Sequence, residues 1–220
     1  MNTFLSWFCY LFLKPIVKFI WIKEVKGSEN IPKSNFILAS NHQSHFDQVT
    51  NAYLCVPRKF TYLGQVDKYS GIQGILRNFV YWIGGVIPIH RYDEESKKRA
   101  LKECIERLKR GYVLIMYPEG TRSKDGKIQK GKLGIAKIYL ESGVPILPVA
   151  IKGNFEIMPT GKILPSFKKI VKINVGKSLE FKEELKIAQN LNPQSLEYKE
   201  ICQRIVDRLM EEIKKLFEEI

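Results

Sequence analysis

The sequence predicts an α/β fold: a mostly parallel central sheet flanked by helices, preceded by an apolar N-terminal helical segment suited to a membrane surface. Three observations predict it. Short apolar runs such as Phe36-Ile-Leu-Ala39 and Tyr112-Val-Leu-Ile-Met116 alternate with stretches of helical periodicity, the pattern of strands whose two faces are both covered by helices. Polar clusters follow directly on the ends of these runs. Residues Met1 to Ile22 are almost all apolar. The expected division is residues 1–24 as a membrane-binding segment and residues 25–220 as one α/β domain.

The first segment holds five aromatics between Phe4 and Phe12, then Lys14-Pro15, Lys18 and Lys23. Spanning a bilayer takes about 20 uninterrupted apolar residues, and the lysines and Pro15 interrupt this run. A signal peptide carries its positive charge before the apolar stretch; here the charge follows it. A helix or helix pair lying in the interface is the expectation, with Trp7, Tyr10 and Trp21 at headgroup depth and lysines reaching outward. A core helix with a greasy face is the plainer alternative.

Val25–Ser34 reads as a short connection with an edge strand. Phe36–Ala39 is a buried strand, and Gln48–Leu54 lies in the helix after it. Phe60–Leu63 is a second strand, Tyr69–Ile83 is helical in part, and Val86–Ile89 is a strand after Gly84-Gly85. Glu94–Lys109 places Ala100, Leu101, Cys104, Ile105 and Leu108 at helical spacing and stops at Gly111. Tyr112–Met116 is the strongest buried strand. Leu133–Glu141 is a helix ended by Gly143, and Val144–Ile151 is a strand. Asn154–Phe167 reads as a loop, Lys169–Val175 as a half-exposed strand, and Asn192 onward as a final helix with one apolar stripe.

Composition narrows the function. With 220 residues, 45% hydrophobic and 11% aromatic, the chain has enough material for one sizeable core. The net charge of +13 favours anionic partners: nucleic acid, anionic lipid headgroups, phosphorylated substrates or an acidic protein. Cys9, Cys55, Cys104 and Cys202 are far apart and lack metal spacing, so reduced structural thiols facing the cytosol are expected. All three histidines precede Arg91, and no metal site is expected.

The chemistry centres on Ser40–Asp47, SNHQSHFD. His42 falls at a strand-to-helix junction, where α/β sheets place reactive groups. Ser44 and Asp47 form a Ser-x-x-Asp pair that caps a helix start. In one reading Asp47 accepts from one nitrogen of His42, fixes the tautomer and leaves the other nitrogen as a base. In the other, Asp47 is only a cap, and His42 and His45 are turn residues. The cluster Glu119-Gly-Thr-Arg122 also follows a buried strand. Gly120 permits close backbone approach, Thr121 donates to phosphate oxygens, and Arg122 grips a phosphate with two bonds. Glu119 holds Arg122 or accepts from a substrate hydroxyl. A turn with a solvated ion pair is the bland alternative. Arg91 ends another strand and reaches the same sheet edge if the strands are parallel neighbours.

A His–Asp pair invites a Ser or Cys nucleophile, yet no G-x-S-x-G elbow is present. The other possibility is that the nucleophile belongs to the substrate, with His42 deprotonating a bound hydroxyl that attacks an activated acyl group. The residues that suggest this also resemble a known family. NHQSHFD is similar to the NHx4D motif of the glycerolipid acyltransferases, and Glu119–Arg122 to their second signature. Gly84–Arg91 and Val144–Ile151 resemble the blocks between and after these two. The likeness covers about residues 36–151 and is strongest to bacterial members that act on 1-acyl-glycerol-3-phosphate and make phosphatidic acid.

The resemblance implies His42 as general base, Asp47 as its orienting partner, and Arg91, Glu119, Gly120, Thr121 and Arg122 around the acceptor. It implies a lysophospholipid acceptor, an acyl-CoA or acyl-carrier-protein donor, no cofactor, no metal, and a place on the cytoplasmic face of the cell membrane. Members often carry a lysine soon after the second strand, where this chain reads Gly64-Gln-Val-Asp-Lys68; Gln65 and Lys68 are the two residues open for that place. Glycerol-3-phosphate and other lysolipids are alternative acceptors. A non-catalytic lipid-binding protein would not need both His42 and Asp47. Nucleic acid is not an expected partner, because no recognition motif accompanies the charge.

Overall fold

The computed structural model describes residues 3–65, 84–90, 92–159, 161–162 and 164–220. The expected helix over Tyr69–Ile83, Lys68 and Arg91 lie outside the described residues.

Among the described residues seven strands form one sheet: β1 (Ile22–Lys26), β2 (Ile37–Ser40), β3 (Phe60–Gln65), β4 (Val86–Ile89), β5 (Val113–Met116), β6 (Ile146–Lys152) and β7 (Val171–Val175). Their order is β1-β7-β6-β2-β5-β3-β4. Every neighbouring pair is parallel except β6–β7. The mostly parallel sheet expected from the sequence is therefore present.

The central strands are apolar throughout because both faces are covered. Ile37 and Ala39 of β2 enter one core, while Phe36 and Leu38 enter the other. β5 divides likewise, with Leu114 and Met116 on one side and Val113 and Ile115 on the other. The first core is filled by α4 (Glu94–Lys109), α5 (Gly134–Ser142), α7 (Lys182–Ala188) and α8 (Leu196–Glu218); α1 (Thr3–Phe8), α2 (Lys14–Ile20) and α3 (Asp47–Cys55) lie on the second side. α6 (Asn154–Ile157) is a single turn after β6.

Helix ends obey local chemistry. Asp93 caps α4, accepting from the amides of Glu95 and Ser96 at 3.0 and 3.1 Å. Glu94 and Glu95 lie in its first turn and Arg107 and Lys109 in its last, matching the macrodipole. Gly143 closes α5 with φ +65°, where a Cβ is costly.

Four local expectations change, one of them the loop expected over Asn154–Phe167, which opens with the helical turn α6. β7 is almost wholly buried rather than half exposed: Asn174 tucks under the end of α8, donating to Leu216 O and Glu219 at 3.1 and 3.0 Å. The final helix begins at Leu196 behind a Ser195 cap, and the Asn192-Pro193 turn precedes it. Trp21 is not at an outer surface of its own: its ring packs on Phe46 and Phe167 at 5.1 and 5.7 Å, and its indole N–H donates to Ser166 O at 2.9 Å.

The N-terminal segment runs as α1, a π-helical turn over Cys9–Leu13, and α2. The stretch Thr3–Ile20 is 18 residues, long and apolar enough to cross a membrane by length and composition, and only 11% of it is buried. It is nevertheless tied to the domain near both ends. Ser6 Oγ donates to Arg58 O at 2.6 Å, and Val17 is buried in the second core. Phe4, Trp7, Phe8, Leu11, Phe12 and Phe19 are left exposed.

Candidate active site

The site lies at the carboxyl ends of β2, β5 and β6, three adjacent parallel strands. The connections leaving β2 and β5 pass to opposite faces of the sheet, α3 on one and α5 on the other. Such divergence opens a crevice at the strand ends.

Out of β2, Asn41 locks the turn to β6: its side chain donates to Ile151 O and accepts from Ile151 N, both at 2.8 Å. His42 follows. Its Nδ1 lies 2.8 Å from Asp47 Oδ2. Asp47 is fully buried, and four donors surround its carboxylate. Oδ2 also accepts from the amides of Gln43 and Ser44 at 2.7 and 2.8 Å, and Oδ1 accepts from Asn154 Nδ2 at 2.7 Å. A buried carboxylate is tolerable when its oxygens are so occupied. As an acceptor, Asp47 requires the proton on His42 Nδ1, which directs the basic lone pair to Nε2. The His42 side chain is 15% exposed, and Nε2 has no hydrogen-bond partner among the described residues.

The capping expectation is not met: the helix starts at Asp47 behind Phe46, and no side chain bonds its first amides. Asp47 reaches back to the Ser44 amide, but Ser44 Oγ accepts from Phe46 N at 2.9 Å and donates to Met158 O at 2.7 Å. Asp47 therefore braces the turn before the helix and orients His42 rather than capping α3.

The second cluster grips the His42 backbone. Glu119 Oε1 accepts from His42 N at 2.7 Å, Oε2 accepts from Gln129 N at 3.0 Å, and Ser123 N donates to His42 O at 2.8 Å. Both polar groups of the His42 residue backbone are thus held by the segment after β5. Glu119, expected around an acceptor, is 1% exposed and turned inward. Burial raises its carboxyl to about 7, against the lowering effect of the two amides. Gly120 has φ +67° and lies exposed, where a Cβ would meet the Lys132 side chain at 3.0 Å. Thr121 and Arg122 are half-buried beside it, and the Arg122 charge reaches His45, disfavouring its protonation after burial.

Arg91 lies outside the described residues; β4, which precedes it, is parallel to β5 and separated from it by β3. Two sheet spacings amount to about 10 Å.

Two further side chains belong to the site. Tyr117 stacks on the His42 ring, centroids 3.8 Å apart and planes at 10°. Asn154 is fully buried and bonds Asp47 Oδ1 and, at 2.9 Å, Thr50 Oγ1. Asn154 stands just past the end of β6, as His42 does past β2; that position was its one visible signal.

The model of a family described as Acyltransferase matches residues 23–152 of this chain. The chain is 37% identical over 144 residues to 1-acyl-sn-glycerol-3-phosphate acyltransferase BAT2, chloroplastic, of Brassica napus, covering 63% of this chain and 39% of that protein. It is 29% identical over 137 residues to the 1-acyl-sn-glycerol-3-phosphate acyltransferase of Haemophilus influenzae, covering 60% of this chain and 55% of that one. The chain thus spans less than two thirds of the length of these curated relatives. The crystal structure of PlsC, the 1-acyl-sn-glycerophosphate (LPA) acyltransferase of Thermotoga maritima, is similar with a TM-score of 0.64 at 29% identity, covering 95% of this chain and 80% of that chain.

Proposed function

The chain belongs to the Acyltransferase family, and from that premise we propose that it moves a fatty acyl group from acyl-CoA or acyl-carrier-protein to the sn-2 hydroxyl of 1-acyl-glycerol-3-phosphate, giving phosphatidic acid. The observation that carries this reading is the 2.8 Å contact between His42 Nδ1 and Asp47, inside the matched region. The relatives, each named for acyl transfer to 1-acyl-sn-glycerol-3-phosphate or 1-acyl-sn-glycerophosphate, supply the acceptor class.

In the proposed mechanism the acceptor hydroxyl gives its proton to His42 Nε2 as its oxygen bonds the thioester carbonyl carbon. The tetrahedral intermediate then breaks its C–S bond, and the leaving thiolate takes the proton from His42. Asp47 orients the ring and stabilises the imidazolium between the two steps. The electron-rich face of Tyr117 lies against the same ring and favours that cation. Glu119 acts by holding the His42 backbone. Arg122, with Gly120 and Thr121, is assigned to the acceptor phosphate, and Arg91 joins them on the strength of the family resemblance alone. General base catalysis supplies about 10²–10⁴-fold, and holding both reactants in attack geometry supplies about 7–11 kcal/mol. The reading needs no cofactor and no metal.

The reading puts the enzyme on the cytoplasmic face of the membrane, with Thr3–Ile20 lying along the interface; the exposed apolar side chains of that segment support the contact with a membrane. The segment's ties to the domain through Ser6 and Val17 support lying over crossing.

The test is acyl transfer by purified protein to lysophosphatidic acid in detergent micelles, with acyl-CoA and acyl-carrier-protein donors in parallel and His42→Ala as control. Phosphatidic acid from wild type alone is the expected result. His42-dependent transfer only to glycerol-3-phosphate or another lysolipid would keep the chemistry and replace the acceptor. No transfer from either donor to any acceptor would overturn the proposal.

A further inference from the structure

We propose that the loop after α6, centred on Leu164 and Phe167, is a second membrane-contacting element that seats the open side of the active site against anionic lipid. The inference extends the membrane placement proposed above from the N-terminal segment to a distant part of the chain.

The starting observation is exposure. Leu164 is 73% exposed and Phe167 78% exposed, although each would gain from burial. Lys162, Lys168 and Lys169 flank them and are exposed as well. No Asp or Glu occurs from Ile157 to Lys172, nor from Thr3 to Lys23. Two apolar, purely basic elements thus stand on the molecule. Large aliphatic and aromatic side chains ringed by lysine suit the boundary between headgroups and acyl chains, and the lysines suit anionic headgroups.

The two elements are continuous. Trp21, at the end of α2, stacks on Phe167 at 5.7 Å and donates to Ser166 O at 2.9 Å. Lys169 Nζ lies 5.7 Å over the ring of Phe19, which is itself 78% exposed. The loop also adjoins the catalytic turn. Ser44 Oγ donates to Met158 O at 2.7 Å, Trp21 packs on Phe46 at 5.1 Å, and Ser166 N donates to Ile157 O at 2.9 Å. Trp21 therefore joins the N-terminal segment, the loop and the His42–Asp47 turn. A bilayer that receives Phe19 and Phe167 together lies beside His42, where an acceptor lipid must arrive.

The test is a lipid titration of the full chain with vesicles containing anionic phosphatidylglycerol and with zwitterionic vesicles, reading the partition coefficient. Leu164→Asp with Phe167→Asp is compared with wild type, with Phe167→Leu as the conservative variant and far-ultraviolet circular dichroism confirming folding. The double variant should partition about ten-fold more weakly or worse, and Phe167→Leu should retain binding. Lys168→Glu should lose about five-fold on anionic vesicles and nothing on zwitterionic ones. An unchanged partition coefficient in the folded double variant would overturn the proposal and leave this face to a protein partner. The titration reads lipid binding without acyl transfer, so its failure is separate from failure of the proposed activity.

Discussion

At the scale of single residues, the site is a set of hydrogen bonds arranged around one imidazole. His42→Ala should abolish turnover in the micelle assay while the protein stays folded, with a lowered thermal transition because the mostly buried ring gives up its stacking on Tyr117 and its bond to Asp47. Asn154 is the sharper case, because it touches Asp47 and not His42. Removing its N–H leaves Asp47 with three donors instead of four, and the carboxylate that orients the His42 ring loses one of its anchors. Asn154→Ala should therefore lower kcat about ten-fold with little change in KM. Asn154→Ser, which retains a donor, should recover part of the loss; an unchanged kcat in a destabilised Asn154→Ala would make Asn154 merely structural. Glu119 gives a pH-dependent stability. Its carboxyl sits at about 7 against an ordinary 4.5, so the native state binds the extra proton between those values. Its stabilising contribution is complete below about 4.5 and is lost as pH rises through about 7. Urea unfolding across this range should show wild type losing up to about 3 kcal/mol relative to Glu119→Gln, levelling above.

At the scale of elements, strand ends do the positioning, and turns after them have little freedom. Gly153 joins β6 to α6 with φ +98°, and a Cβ there would stand 2.9 Å from Ile170 O. Gly153→Ala should cost about 1–3 kcal/mol in urea unfolding and should lower activity beyond the stability loss, because Asn154 moves with it. The strands that carry the site were legible in the sequence. Phe36–Ala39 and Tyr112–Met116 are apolar without interruption, short, and bounded by polar and turn residues, which favours a strand buried on both faces over a buried helix. His42 and Asp47 were legible because they follow such a run at a spacing that suits a turn into a helix. Asn154 was not, since α6 has only four residues, too few to show a 3.6-residue period, and the prolines beyond it argue for a loop. The inward turn of Glu119 was equally invisible: a carboxylate beside Arg122 in sequence suggests an ion pair, while its actual partners are amides of His42 and Gln129, brought near only by the pairing of β2 with β5. The burial of β7 was missed for the same reason, because the end of α8 covers Asn174 from 42 residues away.

At the scale of the whole molecule, charge and apolar surface are segregated in a way that matters for where the reaction takes place. The chain carries +13 overall, yet Thr3–Ile20 presents mainly bare aromatic and aliphatic side chains. Exposed surface of this size is unfavourable in water and favourable in an interface, where each fully buried Phe or Leu gains about 1.5–3 kcal/mol. The remainder of the domain holds its own two cores, of which the segment supplies Val17 and the partly buried Leu5 and Cys9. Removing residues 1–20 should accordingly leave a folded domain with a modestly lowered thermal transition and release it from vesicles. Acyl transfer to a monomeric, short-chain lysophosphatidic acid should survive the truncation, whereas transfer to acceptor held in a bilayer should fall with the lost binding. Raising salt should weaken the association of the full chain with anionic vesicles only in part, since the lysines are screened and the aromatics are not. Complete release by salt alone would mean that headgroup charge, rather than the apolar face of Thr3–Ile20, holds the protein at the surface. Equal loss of activity toward both acceptors would place the segment in the catalytic architecture instead of the membrane contact.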